Sequence, residues 1–224
     1  MPFGLFTSNR LENLVEKLAE ALSQPLSTPL QPETIVVQSK GMERWLSLQL
    51  AERLGICANV RFPFPNTFLT EVGQKIGVGS KDGAPDLFAP EILTWRIMRI
   101  LPQCLDQPEF AAPKRYLEGG VGDVKLIQLS ARIADLFDQY LVFRPDMIAA
   151  WERGTNGTTN NERWQAALWR KLAVESEQPH RAQVGARVVE TLRSTSPGRY
   201  NLPQRISVFG ISTLPLFHLR LLDA

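Results

Sequence analysis

Cysteine and histidine are nearly missing from this sequence, and their scarcity removes several chemistries at once. Cys57 and Cys104 are the two cysteines among 224 residues, each isolated in an apolar setting, Ile56-Cys57-Ala58 and Gln103-Cys104-Leu105. Buried thiols are expected there rather than a disulfide or a metal site. His180 and His218 are the two histidines, too few for a zinc cluster, and neither shares a context with a serine or cysteine nucleophile. An excess of one charge is also lacking, since 25 Lys and Arg stand against 23 Asp and Glu, for a formal charge of +2. A protein that coats nucleic acid through phosphates alone needs a dense basic surface, so any such contact here must be local. No apolar run approaches the roughly 18 residues of a membrane helix. The opening Met1-Pro2-Phe3-Gly4-Leu5-Phe6 is broken at once by Thr7-Ser8-Asn9-Arg10. Neither a membrane span nor a secretory leader is expected, and the predicted location is cytoplasmic. Without a leader, Asn156-Gly157-Thr158 reads as a polar loop rather than a glycosylation acceptor.

Nucleotide and metal motifs are wanting too. No Gly-x-x-x-x-Gly-Lys-Ser/Thr occurs, so the backbone N–H cradle and lysine that hold phosphates are not encoded. Gly77-Val78-Gly79-Ser80-Lys81 has glycines and a lysine but follows a helical pattern, not a strand, and reads as a surface loop. A magnesium-dependent nuclease needs clustered carboxylates. The nearest candidate is Asp135 with Asp138, on the polar side of a helical pattern that begins near Leu126 and that also carries Gln128, Arg132 and Gln139. Arg132 is expected to pair with one of the aspartates, leaving a solvated face or a recognition surface. No catalytic residue, metal or cofactor is predicted.

What is present is ordinary globular material, 44% hydrophobic and 21% charged. Gly4 to Thr7 reads as a short strand. A helix follows, with Leu11, Leu14, Val15, Leu18, Ala19 and Leu22 at helical spacing and Asn9 and Glu12 placed as a capping pair. Pro25, Pro29 and Pro32 end it. Thr34-Ile35-Val36-Val37 is β-branched and apolar throughout, as a strand buried on both faces should be. The next helix places Met42, Trp45, Leu46, Leu50 and Leu54 together and stops at Gly55, and another is predicted from Asn66 to Ile76. From about Pro90 to Arg193 only helical periodicities appear, over 92–101, 126–142, 147–151, 164–174 and 184–192. A strand returns at Ile206 to Ile211, then a helix from Leu214 to Leu222. This order predicts an α/β fold: a parallel sheet uniting the strands at 4–7, 34–37 and 206–211, with a large all-helical insertion. The expected divisions are 1–85, 86–195 and 196–224. With two or three strands the sheet is thin, and the last helix is unfinished at Ala224, so a larger protein is expected around this chain.

The five tryptophans, Trp45, Trp95, Trp151, Trp164 and Trp169, all fall at apolar helical positions and are expected in the core. Gln38-Ser39-Lys40-Gly41 is placed differently, at the carboxyl end of a parallel strand, where open α/β sheets bind ligands. Gln38 can offer a paired donor and acceptor to a base edge, while the plainer role for Ser39 is to cap the next helix.

Several strings taken together are more specific. Ser8-Asn9-Arg10-Leu11, Val37-Gln38-Ser39 through Gly41-Met42 and Trp45-Leu46, Gly55-Ile56 through Ala58-Asn59, and Phe62-Pro63 come first. They are followed by Leu136-Phe137-Asp138-Gln139-Tyr140-Leu141-Val142 with Arg144-Pro145-Asp146, and by Phe209-Gly210-Ile211-Ser212. In this order they resemble the start of the RecC family, the gamma subunits of exodeoxyribonuclease V. The resemblance implies a P-loop helicase-type sheet, inactivated and without the phosphate loop, in a non-catalytic subunit of a heterotrimer with RecB-like and RecD-like motor subunits. It implies a tunnel for the 3′-ended single strand of DNA, in which the regulatory Chi sequence is recognised during double-strand break repair. The tunnel residues so implied are Gln38, Lys40, Arg44, Phe64, Thr70, Asp135, Leu136, Asp138, Gln139, Arg144 and Arg181. At Lys40, Arg44, Phe64 and Thr70 the best-known member has threonine, glutamine, leucine and tryptophan, so the same octamer is not expected to be read. Gln38, Arg44, Asp135, Asp138, Gln139 and Arg144 are expected on one wall of a channel. The competing expectation is a scaffold that docks motor subunits without reading DNA.

Overall fold

The computed structural model describes residues 3–28, 30–78, 85–118, 122–176, 178–196 and 198–224. The helices are α1 (Leu11–Leu22), α2 (Lys40–Leu54), α3 (Pro65–Lys75), α4 (Pro90–Ile100), α5 (Ala111–Glu118), α6 (Gly122–Phe143), α7 (Pro145–Glu152), α8 (Asn160–Val174), α9 (Arg181–Ser194) and α10 (Leu216–Asp223). The strands are β1 (Glu33–Val36), β2 (Val60–Arg61) and β3 (Ile206–Val208). Contacts group the chain into two compact units, Met1–Gly77 with Ser194–Leu214, and Val78–Arg193 with Pro215–Ala224.

In the first unit the sheet is parallel in the order β2-β1-β3, with Thr34 opposite both Arg61 and Ile206 and Val36 opposite Val208. Its centre is β1, where Thr34, Ile35 and Val36 are buried along with Val37 just after it, as a continuously apolar run demands. Val15, Leu18 and Ala19 of α1 and Leu46 and Leu50 of α2 pack with Ile35, Val37 and Phe209. Gly55 ends α2 at φ 80°, a left-handed conformation that costs glycine nothing.

The second unit is built on helices, with 3-10 turns at Leu101–Cys104 and Pro108–Phe110. Its core joins Leu93 and Ile97 of α4, Phe137 and Leu141 of α6, Ile148 and Trp151 of α7, and Trp164, Leu168 and Trp169 of α8. Phe137 meets Trp169 edge-on at 5.2 Å between ring centres, the arrangement that ring quadrupoles favour. Thr159 and Glu162 form a reciprocal capping box at the start of α8.

Several expectations are overturned. The P-loop helicase-type α/β sheet with a large helical insertion is not the architecture found. The described chain is mostly helical, and its sheet consists of parallel strands of four, two and three residues. Gly4 to Thr7 forms no strand: it pairs with none of β1, β2 and β3, and Phe3, Leu5 and Phe6 stand exposed. An apolar run becomes a strand only where a neighbouring segment takes up its backbone N–H and C=O groups and its side chains are buried. Asn9 does not cap α1. Arg10 holds the cap position, and Ser8 Oγ accepts its N–H at 3.1 Å, a local bond that competes with the expected box. Trp95 is 62% exposed on α4, because that helix turns Leu93, Ile97 and Ile100 to the core instead. The expectation for Gly79-Ser80-Lys81 lies outside the described residues. Among the described residues no helix is long and apolar enough to cross a membrane, and no group of His, Cys, Asp or Glu could hold a metal ion.

Candidate nucleic-acid interface

The three strands end on one rim, and backbone bonds hold their exits together. Val37 N donates to Pro63 O at 3.1 Å, and Phe209 N donates to Val36 O at 3.0 Å. Gln38 follows on this rim, exposed and without a hydrogen-bond partner among the described residues. Ser39 does cap α2, since its Oγ accepts Met42 N–H at 3.1 Å, and this orients the helix start that carries Lys40 and, one turn on, Arg44. Lys40 Nζ bonds Glu43 Oε2 at 2.7 Å and lies 5.6 Å from the centre of the Phe64 ring. Phe64, at the start of α3, is half-buried against the first core. Arg44 is exposed and has no ion-pair partner among the described residues. Gly210 closes the rim at φ 64°, so near that a Cβ there would lie 2.8 Å from Met42 Cε. The rim thus gathers Gln38, Lys40, Arg44 and Phe64. Thr70 stands apart on α3, its hydroxyl donating to Asn66 O at 3.1 Å within its own helix.

In the second unit α6 carries Asp135, Leu136, Asp138 and Gln139 over little more than one turn. Asp135 and Gln139 are exposed, while Leu136 and Asp138 are half-buried. Arg144 follows the helix and starts α7, with its N–H donating to Tyr140 O at 2.9 Å. The aspartate pairing differs from expectation. Asp138 is engaged by Arg181 from the start of α9, with the two side chains 29% and 20% exposed, and Arg132 pairs with neither aspartate among the described residues. Burial pulls the Arg181 guanidinium below its ordinary value, and the Asp86 carboxylate acts the other way. Burial, followed by the charge of Arg181, lowers His218 of α10. Asp135 and Gln139 are exposed and have no side-chain partner among the described residues, which suits hydrogen bonding to an incoming partner.

A network that the sequence did not signal lies beside Arg181. Glu152 of α7 accepts from Trp169 Nε1 at 3.1 Å and from His180 Nε2 at 2.7 Å on one oxygen, and from Gln183 Nε2 at 3.0 Å on the other. Burial pushes the Glu152 carboxyl up, but the bonds and charge it receives outweigh this and hold it below its usual value. The only trace of this in the sequence is a histidine after Pro179, immediately ahead of a helix.

The model of the RecC N-terminal domain matches residues 3–224. The chain is 39% identical to the RecBCD enzyme subunit RecC of Escherichia coli K12, over 87% of this chain and 18% of that protein. It is 35% identical to the subunit of the same name in Haemophilus influenzae Rd, over 87% of this chain and 19% of that one. For Mycolicibacterium smegmatis the identity is 31%, over 86% and 17%. The chain therefore spans less than a fifth of the length of these relatives. With nearly every residue matched by the domain's family model and relatives above 30% identity, this chain belongs to the RecC family, in its N-terminal domain.

Proposed function

We propose that this chain works as the N-terminal part of a RecC subunit, guiding the 3′-ended single strand of DNA and reading a Chi-like regulatory sequence in it. Its partners are then RecB-like and RecD-like motor subunits, which supply ATP hydrolysis and cleavage in repair of double-strand breaks. The observation that carries the reading is the family match over residues 3–224, with the implied tunnel positions other than Phe64 and Leu136 occupied by polar side chains. Two local features support it. The sheet rim presents Gln38 and Arg44, without ion-pair or side-chain hydrogen-bond partners among the described residues, at the strand ends where open sheets bind ligands. The polar face of α6 presents Asp135 and Gln139, which can address amino groups and adenine edges without adding phosphate affinity. Mixed charge suits reading rather than gripping, in keeping with the net charge of +2.

One observation favours the scaffold reading at a single position: the Asp138 carboxylate is occupied by Arg181, as in a structural ion pair. Crosslinking separates the readings. With a photoreactive residue at 38 or 139 in the assembled enzyme, a reader gives adducts with the 3′-ended strand and a scaffold gives none. Replacing Gln38 with alanine should cost about 1–3 kcal/mol of discrimination between sequences and little general affinity. Loss of general affinity with discrimination intact would reverse the assignment.

A further inference from the structure

We propose that Glu152 and His180 are positioning residues for Arg181, setting the guanidinium where the DNA-reading face of α6 needs it; this rests on the function proposed above. His180 immediately precedes Arg181, and its carbonyl accepts Val184 N–H at 3.0 Å, so it occupies the cap position of α9. The residue is 2% exposed, and its ring is held by two aromatic neighbours and two hydrogen bonds. Phe88 and Trp169 meet it edge-on, each with 5.4 Å between ring centres. Gln183 N donates to Nδ1 at 3.3 Å, so Nδ1 is the acceptor and Nε2 carries the proton that goes to Glu152. Glu152 is held in turn by Trp169 and Gln183, which ties α7, α8 and α9 to one carboxylate. The first residue of α9 past this clamp is Arg181, which reaches Asp138 on α6. A cap residue locked by its own side chain allows the helix start little freedom, and a buried, satisfied network is a rigid reference for the side chain next to it.

The test uses the assembled enzyme and reads the response to the regulatory sequence per molecule unwound. Arg181→Ala is the reference, and Glu152→Ala and His180→Ala should each lower the response about five- to tenfold, as contacting residues in one network do. His180→Gln, whose amide nitrogen can replace the Nε2 donor, should keep most of it. Because Glu152 acts through Arg181, Glu152→Ala combined with Arg181→Ala should be no worse than Arg181→Ala alone. Glu152→Ala leaves core donors without an acceptor and can unfold the unit, so Gln183→Ala, which removes one bond at the half-buried edge, is the milder arm and should lower the response about twofold. An unchanged response in Gln183→Ala and Glu152→Ala while Arg181→Ala lowers it sinks the positioning role alone, as do losses that multiply in the double variant. An unchanged response in Arg181→Ala overturns both this inference and the part of the functional reading that includes Arg181.

Discussion

At Gly210 the backbone turns with φ 64°, and Met42 Cε occupies the space where a side chain would begin. Gly210→Ala meets two separate costs: a left-handed backbone, about 1–2 kcal/mol, and displacement of the end of Met42. The denaturant midpoint should fall accordingly, and adding Met42→Ala should remove the second cost but not the first. Full recovery in the double variant would show that backbone conformation is not the constraint. Glu152 governs a second residue-level property. Its folded carboxyl is held below the ordinary 4.5, so the stability it confers is fully present above that value and is lost as pH falls through the lower folded one. Acid unfolding of wild type should therefore be steeper than that of Glu152→Gln, followed by tryptophan fluorescence at pH 2 to 6. Equal slopes would remove Glu152 from the acid response. Neither residue was legible in advance. A glycine in Phe209-Gly210-Ile211 gives no hint of Met42, which is 168 positions away, and a glutamate near a helix end looks solvated until a histidine arrives from another helix.

Elements were read well where their own residues determine them, and poorly where a neighbour does. The β-branched run around Ile35, the apolar stripe of α2 and the stop at Gly55 are local, and each appears within a residue or two of its expected place. Gly4 to Thr7 has a similar apolar character, yet it pairs with none of the three strands and its large side chains stay exposed. The short α5 escaped the periodicity altogether, because Pro113 sits in its first turn, where a helix tolerates proline and a pattern reader expects a break. Arg205 shows what joins elements. Its guanidinium donates to both oxygens of Glu33 at the start of β1 and to the carbonyls of Ala21 and Gln24 at the end of α1. Glu33 and Arg205 keep 16% and 24% of their side-chain exposure, so desolvation is substantial and solvent screening incomplete. Arg205→Ala should destabilise the protein by about 3 kcal/mol, because it strands a half-buried carboxylate and two carbonyls. Arg205→Ala with Glu33→Gln should recover part of that loss in urea unfolding. If the double variant is no better than the single, the stranded charge is not the cause.

At the scale of the whole molecule, a chain without a phosphate loop is expected to leave ATP intact. Phosphate release from ATP with Mg²⁺ should not exceed the blank, and turnover that disappears in Asp135→Asn would contradict this. The sequence by itself determined the family, through ordered strings such as Leu136-Phe137-Asp138-Gln139-Tyr140-Leu141 and Val37-Gln38-Ser39, along with the helices of residues 90–194 and the polar character of the candidate interface. These follow from residue identity and short-range periodicity, which one chain segment carries alone. Only the tertiary structure decided that the sheet is three short strands, that Trp95 faces outward, that Asp138 is bound by Arg181 rather than Arg132, and that Glu152 clamps His180. Each depends on which distant segment fills the space beside a residue. Burial and pairing are properties of that neighbour as much as of the residue, so no local pattern records them.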